Sequence, residues 1–241
     1  MKDWIANLFE FPELTRMGHF QRVQDSNLGL GWIYYGLARA IRPKKVVVIG
    51  SYRGFVPLVL GKALVDNGDQ GEVIFIDPSF VDNFWKDAER VKKYFENFGV
   101  TNIQHFLTTT QEFVQSTTYR SLESLGIVFV DGYHSEHQAR FDYEAFERLL
   151  VPEGVVLFHD TANCDITKIY GPEQAYERRV KYFIDELRKE VNLQVFDLPL
   201  DQGVTLVRKC GATKHDSIAE TAPCLAVKSS FSRHRAKMGN R

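Results

Sequence analysis

Short apolar runs alternate with amphipathic segments along most of the chain, and residues 126–160 show this pattern most clearly. Two apolar runs, GIVFV and GVVLF, flank a segment in which Phe141 and Ala145 recur at helical spacing. Ser135, followed three residues later by Gln138, is typical of a helix start. This order predicts a strand, a helix and a second strand, and such a crossover makes the two strands parallel.

The same alternation extends to both sides of this unit. The pattern predicts further strands at residues 45–49, 72–76 and 103–107 and helices at residues 28–41, 55–65, 84–98 and 172–191. We expect Asp25 and Ser26 to cap the first of these helices and Gly99 to end the third. Near the end, the run LQVFDLPLDQGVTLVRK predicts an antiparallel hairpin around a Pro, Asp and Gly connection.

These elements predict an α/β fold, with a Rossmann-like sheet of seven mostly parallel strands and a C-terminal antiparallel hairpin. We expect an N-terminal cap at residues 1–25, the main domain at residues 26–210 and a tail at residues 211–241. In such sheets, ligands bind at the carboxyl edge of the parallel strands.

Composition agrees with a globular domain. The 241 residues are 44% apolar and 25% charged, so the chain can bury one full core. The first residues lack a basic stretch followed by an apolar one, and no run approaches the roughly 18 apolar residues of a membrane span. We therefore expect a soluble, cytoplasmic protein with no membrane partner. Cys164, Cys210 and Cys224 have no metal-type spacing, and their odd number argues against a disulfide framework.

The tail differs in charge from the rest of the chain. Residues 211–241 carry six Lys or Arg against two Asp or Glu, while the formal net charge of the whole chain is −1. We interpret the tail as a solvated extension; the alternative is a contact with an anionic partner. Phe231 is its only large aromatic residue, so nucleic-acid binding is not favoured. A homo-oligomer is left open.

Four polar residues follow the strands of the 126–160 unit. Asp131 and His134 come after the first strand, and His159 and Asp160 close the second. If the strands are neighbours, about 4.8 Å apart, all four lie at one edge of the sheet. Two carboxylates so close repel each other unless a cation or a proton lies between them. The alternatives are that the acids cap turns and that His159 packs inward.

A glycine pair lies between the 45–49 strand and the next helix. Gly50 can make a tight turn, Gly54 can permit close approach, and the helix start offers free N–H groups. Asp77 ends the following strand, where it can accept hydrogen bonds from both hydroxyls of a ribose. The loop lacks the third glycine of the dinucleotide motif, which disfavours a nicotinamide-dependent enzyme.

Over residues 32–209 the chain resembles the class I S-adenosylmethionine-dependent methyltransferases. It is most similar to metal-dependent O-methyltransferases of the macrocin and macrolide-sugar type, whose relatives include cephalosporin-hydroxylase-like proteins. The resemblance depends on the terminal hairpin and on the motifs VVVIGSYRGFVPLVLGKAL, VIFIDPS and VDGYHSEHQARFDYEAFERLLVPEGVVLFHDT. It implies methyl transfer from S-adenosylmethionine to a hydroxyl of a small molecule.

The resemblance also implies roles for individual residues. Asp131 and Asp160 would hold a divalent cation, with His159 as a further candidate ligand, and His134 would remove the proton of the acceptor hydroxyl. Cofactor contacts are implied for the glycine loop and two strand-end acids: Gly50, Ser51, Tyr52, Arg53, Gly54, Asp77 and Asp131.

The chain departs from the family at two positions. Val48 stands where the family usually has an acid, and His159 where it often has an oxygen ligand. Oxygen ligands alone suit Mg²⁺, whereas ligation by His159 would favour Mn²⁺, Fe²⁺ or Zn²⁺.

The sequence does not name the acceptor. Residues 161–179 and the aromatic N-terminus are candidates to cover the carboxyl edge, or equally to be packing surfaces. The competing functions are a hydroxylase-like or nucleotide-linked oxidoreductase on the same scaffold and a non-catalytic cofactor-binding protein.

Overall fold

The computed structural model describes residues 1–16 and 18–210 of the chain. Its helices are α1 (Lys2–Phe9), α2 (Gly31–Ile41), α3 (Phe55–Asn67), α4 (Ala88–Glu96), α5 (Thr110–Phe113), α6 (Thr117–Arg120), α7 (Glu136–Phe146) and α8 (Val180–Leu187). Its strands are β1 (Lys45–Ile49), β2 (Glu72–Ile76), β3 (Ile103–Phe106), β4 (Leu125–Val130), β5 (Leu150–His159), β6 (Ile166–Thr167), β7 (Tyr176–Glu177), β8 (Leu193–Leu198) and β9 (Val204–Lys209). Short 3-10 turns occur at Pro12–Thr15, Val23–Asp25, Glu147–Leu149 and Pro172–Gln174.

Seven strands form one sheet in the order β3-β2-β1-β4-β5-β9-β8. The first five are parallel, and β9 pairs antiparallel with both β5 and β8. The predicted α/β fold, with its mostly parallel sheet and terminal hairpin, is therefore confirmed. The strand order reverses between β1 and β4, and a crevice at such a reversal is where open α/β sheets bind ligands.

The central strands are buried on both faces, which explains their unbroken apolar runs. In β1, Val46 and Val48 pack with the core formed with α1 to α4, while Val47 and Ile49 pack with the core under α7 and α8. Alternate side chains of the strand thus pack into two cores, one on each face of the sheet. Side chains at the strand ends face the crevice.

Three predicted helix starts are wrong. Helix α4 begins at Ala88, after the Asp87 cap, rather than at Phe84. Helix α2 begins at Gly31 rather than near Asp25 and Ser26, because residues 23–25 form a 3-10 turn that ends with Ser26 in the left-handed region. The helix predicted at residues 172–191 covers only Val180–Leu187. The residues before it form a 3-10 turn and the small β6–β7 hairpin, so helical spacing in this stretch was misleading.

Pro152 and Gly154 lie within β5, where the pairing with β4 is irregular. Leu125 pairs with Leu150, whereas Ile127 already pairs with Val155. No helix of the described residues is long and apolar enough to cross a membrane. Cys224 and the basic tail at residues 211–241 lie outside the described residues.

Candidate functional site

A cavity of about 740 Å³ opens at the carboxyl edge of the sheet. The ends of β1, β2, β4 and β5 all contribute to its lining, as the crossover topology requires. The residues predicted from the sequence that line it are Gly50, Ser51, Tyr52, Arg53, Asp77, Asp131, His134, His159 and Asp160. Gly54 is just outside this lining, at the start of α3.

The glycine loop is shaped by close backbone contacts. Gly50 has φ +67°, and a Cβ there would lie 2.3 Å from the Asp131 carbonyl oxygen. Gly54 has φ +82°, and its Cβ would lie 3.0 Å from the Trp85 ring. Gly50 thus lets the β1 and β4 ends approach closely, and Gly54 lets the start of α3 pack against Trp85.

The other loop residues hold their positions through polar contacts. Ser51 Oγ accepts from the Val56 amide at 3.3 Å, and the Tyr52 carbonyl accepts from Trp85 Nε1 at 2.9 Å. Arg53 pairs with Glu13 at 3.0 Å and with Asp82 at 2.6 Å. The Arg53 side chain is thus already neutralised by protein carboxylates, which leaves the loop backbone and Ser51 as the groups that face a ligand.

Asp77 closes β2 beside the glycine loop. Its Oδ1 accepts from the Ser79 amide at 2.7 Å. Burial raises the pKa of this carboxyl to about 6, against the stabilising hydrogen bonds from the backbone of Ser79 and Ser51. A half-buried carboxylate with free acceptor capacity next to the β1 loop suits a ligand that brings hydroxyl donors.

Four side chains meet at the ends of β4 and β5. The ligand atoms of Asp131, His134, His159 and Asp160 all lie within 4.8 Å of one another. His134 Nε2 is 3.2 Å from Asp131 Oδ1 and 3.1 Å from Asp160 Oδ2. His159 Nδ1 is 3.1 Å from Asp131 Oδ1 and 3.2 Å from Asp160 Oδ1. We call these four residues the acid–histidine cluster.

The cluster is buried and electrostatically coupled. Burial opposes the charged form of Asp131, but the positive charge of His159 and a hydrogen bond from His134 lower the pKa of that carboxyl to about 2. Burial also opposes the charge of Asp160, yet His134, His159 and Arg178 hold its pKa well below its usual range. Burial alone would lower the pKa of His159, but the two carboxylates raise it well above its ordinary value. The cluster therefore holds two negative charges that require a proton or a cation between them.

Arg178 is a member of the site that the sequence did not reveal. Its guanidinium lies 2.7 Å from Asp160 Oδ2 and is also paired with Asp165 at 2.5 Å. The residue lies just after β7, so the β6–β7 hairpin delivers it to the cluster. The residues beside Arg178 in the sequence do not predict this contact, because it depends on the geometry of the hairpin.

Three tyrosines line or flank the cavity beside the cluster. The ring planes of Tyr133, Tyr170 and Tyr176 lie within 20° of one another, and the centroids of Tyr133 and Tyr176 are 4.2 Å apart. Burial raises the pKa of Tyr176 to about 12. Tyr133 is 44% exposed and, with Tyr170, lines the cavity. The three rings form a flat, uncharged wall beside the acid–histidine cluster.

The N-terminal region also reaches the cavity. Gly18 and Phe20 line it, and the Gly18 carbonyl accepts from His159 Nε2 at 3.0 Å. His19 is buried between the Phe55 ring at 4.8 Å and the His159 ring at 4.5 Å. Burial, together with the charge of His159, lowers the pKa of His19 to about 3.

Val48 makes no polar contribution at the position where an acid was expected. Its side chain is fully buried in the core. Another buried acid, Asp142 on α7, does line the cavity; its Oδ1 accepts from Gln138 Nε2 at 2.8 Å and its Oδ2 has no partner among the described residues. Asp142 was not predicted from the sequence, because helical spacing marks it only as a residue of the helix face.

Comparison with known proteins agrees with this geometry. Residues 47–161 match a family described as "Methyltransferase domain". This region is similar to methyltransferase domains. The match runs from β1 through the end of β5, so the matched region includes the glycine loop, Asp77 and the acid–histidine cluster. The predicted resemblance to S-adenosylmethionine-dependent methyltransferases is confirmed.

Similar structures extend the likeness beyond the matched region. The O-methyltransferase TomG of Streptomyces achromogenes, solved with S-adenosylmethionine, is 16% identical with a TM-score of 0.58, covering 87% of this chain and 88% of TomG. A Bacillus cereus O-methyltransferase, solved with S-adenosylhomocysteine, is 14% identical with a TM-score of 0.60, covering 86% and 91%. A Geobacter sulfurreducens methyltransferase is 15% identical with a TM-score of 0.59, covering 87% and 90%. Identities of this size support the fold alone.

One curated relative has a similar sequence. The uncharacterized protein y4gI of Sinorhizobium fredii is 27% identical over 146 residues, which are 54% of this chain and 15% of that protein. The chain therefore spans a small part of the length of this relative.

Proposed function

We propose that the methyltransferase domain transfers a methyl group from S-adenosylmethionine to a hydroxyl of a small molecule, assisted by a divalent cation. The observation that carries the proposal is the shared cavity: the glycine loop, Asp77 and the acid–histidine cluster all line it. A cofactor held by the first two groups would present its methyl group within the space that the cluster borders. The cofactors in the TomG and Bacillus cereus structures support this choice of methyl donor.

Cofactor binding is assigned to the β1 and β2 ends. The loop from Gly50 to Gly54 offers backbone groups and Ser51 to the amino-acid part of the cofactor, with Asp131 bordering it from β4. Asp77 accepts hydrogen bonds from the ribose hydroxyls. Two hydroxyl donors suit this half-buried carboxylate, since each hydrogen bond to a charged acceptor contributes about 1.5–3 kcal/mol.

The acid–histidine cluster fits a divalent cation. His159 Nδ1 and Asp160 Oδ1 are buried without hydrogen-bond partners among the described residues, although each faces the other ligand atoms. Asp131 and Asp160 supply carboxylates, and His159 supplies an imidazole nitrogen. We expect Mg²⁺ or Mn²⁺, and the imidazole nitrogen favours Mn²⁺ or another transition ion over Mg²⁺. When bound, such a cation polarises the acceptor hydroxyl and lowers the pKa of that hydroxyl.

His134 is assigned the proton transfer. As the acceptor oxygen attacks the methyl carbon, the carbon–sulfur bond breaks and its electron pair stays on sulfur, giving S-adenosylhomocysteine. The hydroxyl proton passes to His134, and the resulting imidazolium is stabilised by Asp131 and Asp160, which lie within 3.2 Å of its Nε2. Arg178 holds Asp160 in place for this role.

The test is a methylation assay on the full chain. We expect that incubation with S-adenosylmethionine, Mn²⁺ and a panel of hydroxylated small molecules yields at least one product heavier by one methylene unit, detected by mass spectrometry together with S-adenosylhomocysteine. Calorimetry with S-adenosylhomocysteine provides an acceptor-independent measurement. Absence of heat on folded protein would refute the proposal; binding without any product would favour a non-catalytic cofactor-binding protein.

A further inference from the structure

The N-terminal segment around Gly18 is attached directly to the cluster. The Gly18 carbonyl accepts from His159 Nε2 at 3.0 Å. On the C-terminal side of Gly18, the Leu30 amide donates to the His19 carbonyl at 2.8 Å, and the Phe20 amide donates to Asp201 Oδ2 at 3.2 Å. The segment is therefore held both to the start of α2 and to the turn between β8 and β9.

This contact determines which nitrogen of His159 is available. A carbonyl oxygen can only accept, so Nε2 carries the hydrogen in this bond. In the neutral imidazole the lone pair is then on Nδ1. That nitrogen lies 3.1 Å from Asp131 Oδ1 and 3.2 Å from Asp160 Oδ1, with no hydrogen-bond partner among residues 1–16 and 18–210. In that neutral form, the nitrogen and the two carboxylate oxygens are close enough together to bind one cation.

We propose that the Gly18 carbonyl positions His159 as a nitrogen ligand, so that the N-terminal segment is part of a transition-metal site. This inference rests on the divalent cation of the proposed function and adds the residue that orients its ligand. A backbone acceptor behind a ligating imidazole fixes both the tautomer and the ring orientation. The site would take a cation with affinity for mixed nitrogen and oxygen ligands, such as Mn²⁺, Fe²⁺ or Zn²⁺.

Packing around the contact is consistent with a positioning role. Gly18 has φ +72°, and a Cβ there would lie 3.1 Å from His159 Cε1 and 2.9 Å from Gln202 Cγ. His19 fills the other side of the imidazole, with its own Nδ1 3.2 Å from the Tyr34 hydroxyl. No side chain longer than that of glycine fits between His159 and the β8–β9 turn without a shift.

The experiment measures Mn²⁺ affinity by electron paramagnetic resonance on the full chain without cofactor or acceptor. Gly18→Ala should weaken Mn²⁺ binding roughly 10- to 100-fold, the range for loss of a group that orients a ligand. Asp201→Gly removes the anchor of Phe20 without adding atoms, at a residue whose φ of 56° suits glycine, and should weaken binding in the same direction. Trp4→Phe is the matched control, because it removes the bond from Trp4 Nε1 to the Phe98 carbonyl elsewhere in the N-terminal region.

The outcomes separate this inference from the proposed function. If the parent protein binds no Mn²⁺, the cation of the proposed function is wrong and the inference falls with it. If the parent binds Mn²⁺ and folded Gly18→Ala binds it equally well, the positioning role is wrong while the cation site stands. Should Gly18→Ala fail to fold, Asp201→Gly decides in the same way.

Nitrogen chemical shifts give an independent measurement. The metal-free parent should show His159 with a hydrogen on Nε2, in the bond to Gly18. A His159 ring with its Nε2 unprotonated would overturn the inference. Affinity for S-adenosylhomocysteine should be unchanged in both variants. A variant that had lost its structure in general would bind this ligand more weakly as well, so the measurement checks that both are folded.

Discussion

His134 and Asp160 are 26 positions apart in the chain, yet His134 Nε2 lies 3.1 Å from Asp160 Oδ2. The contact joins the loop after β4 to the end of β5. An imidazole between two carboxylates can take up a proton with its charge already compensated, which is the arrangement that a base needs when the acceptor is neutral.

Replacement of this imidazole should therefore reduce turnover. We expect His134→Ala to lower turnover by roughly 10² to 10⁴, the usual contribution of a general base, with little change in cofactor affinity. His137→Ala is the control, since His137 lies one turn further along and is exposed. If Mn²⁺ affinity also falls in His134→Ala, the imidazole is a ligand rather than the base.

Asp77 should control cofactor affinity. Asp77→Ala removes the acceptor for the ribose hydroxyls and should weaken S-adenosylhomocysteine binding by about 1–3 kcal/mol. Titration calorimetry measures the change directly. An unaltered affinity would place the ribose elsewhere in the cavity.

The same acid predicts a pH dependence. Because burial raises the pKa of Asp77 to about 6, its carboxylate is charged above that pH and neutral below it. The charged form is the stronger acceptor, so cofactor affinity should fall as the pH is lowered from 7 to 5. Asp77→Asn should abolish this fall. Burial also raises the pKa of Asp142 to about 6, so Asp142→Asn is the control and should retain the fall.

Removal of the cation should affect methyl transfer but not cofactor binding. Exhaustive treatment with EDTA should abolish methyl transfer and leave cofactor binding largely intact, with activity restored by Mg²⁺ or Mn²⁺. Asp131→Asn should mimic the chelated state in a way that added cation does not rescue. Full turnover after chelation would mean that the cluster is neutralised by a proton on His159 instead.

Gly50 gives a prediction about stability. Gly50→Ala should destabilise the fold by about 2 kcal/mol or more, because the new Cβ would lie 2.3 Å from the Asp131 carbonyl oxygen at a positive φ. Gly36 is the matched control: it lies within α2 with no atom within 4 Å of its Cβ position, so Gly36→Ala should stabilise by about 0.5–1 kcal/mol. Chemical denaturation measures both.

The sheet could be predicted from the sequence because its strands are continuous apolar runs, and β1 and β2 have the predicted limits. Strand ends then indicated Asp77, Asp131 and Asp160 by position alone. The helix start at Ser135 was also predictable, since its hydroxyl accepts from the Gln138 amide as the local pattern required.

Contacts that depend on distant folding were not predictable. Arg178 reaches Asp160 through the β6–β7 hairpin, a two-residue pairing with little apolar signal. The role of Gly18 could not be predicted either, because its carbonyl contacts His159 at the end of β5, 141 positions away in the chain. The helix predicted before Val180 began too early, because Ala175 and Tyr176 continue the helical spacing of α8. In the structure, Ala175 ends a 3-10 turn and Tyr176 lies in β7.

The bond between Gly18 and His159 spans 141 positions in the chain. At about 5 to 20 residues per second, a ribosome needs roughly 7 to 30 s to make the intervening polypeptide. During that interval the buried surface of the N-terminal segment has no partner from β5 or from the β8–β9 turn. The segment can contact the start of α2 early, but its bonds to His159 and to Asp201 form only after β5 and the β8–β9 turn have been made.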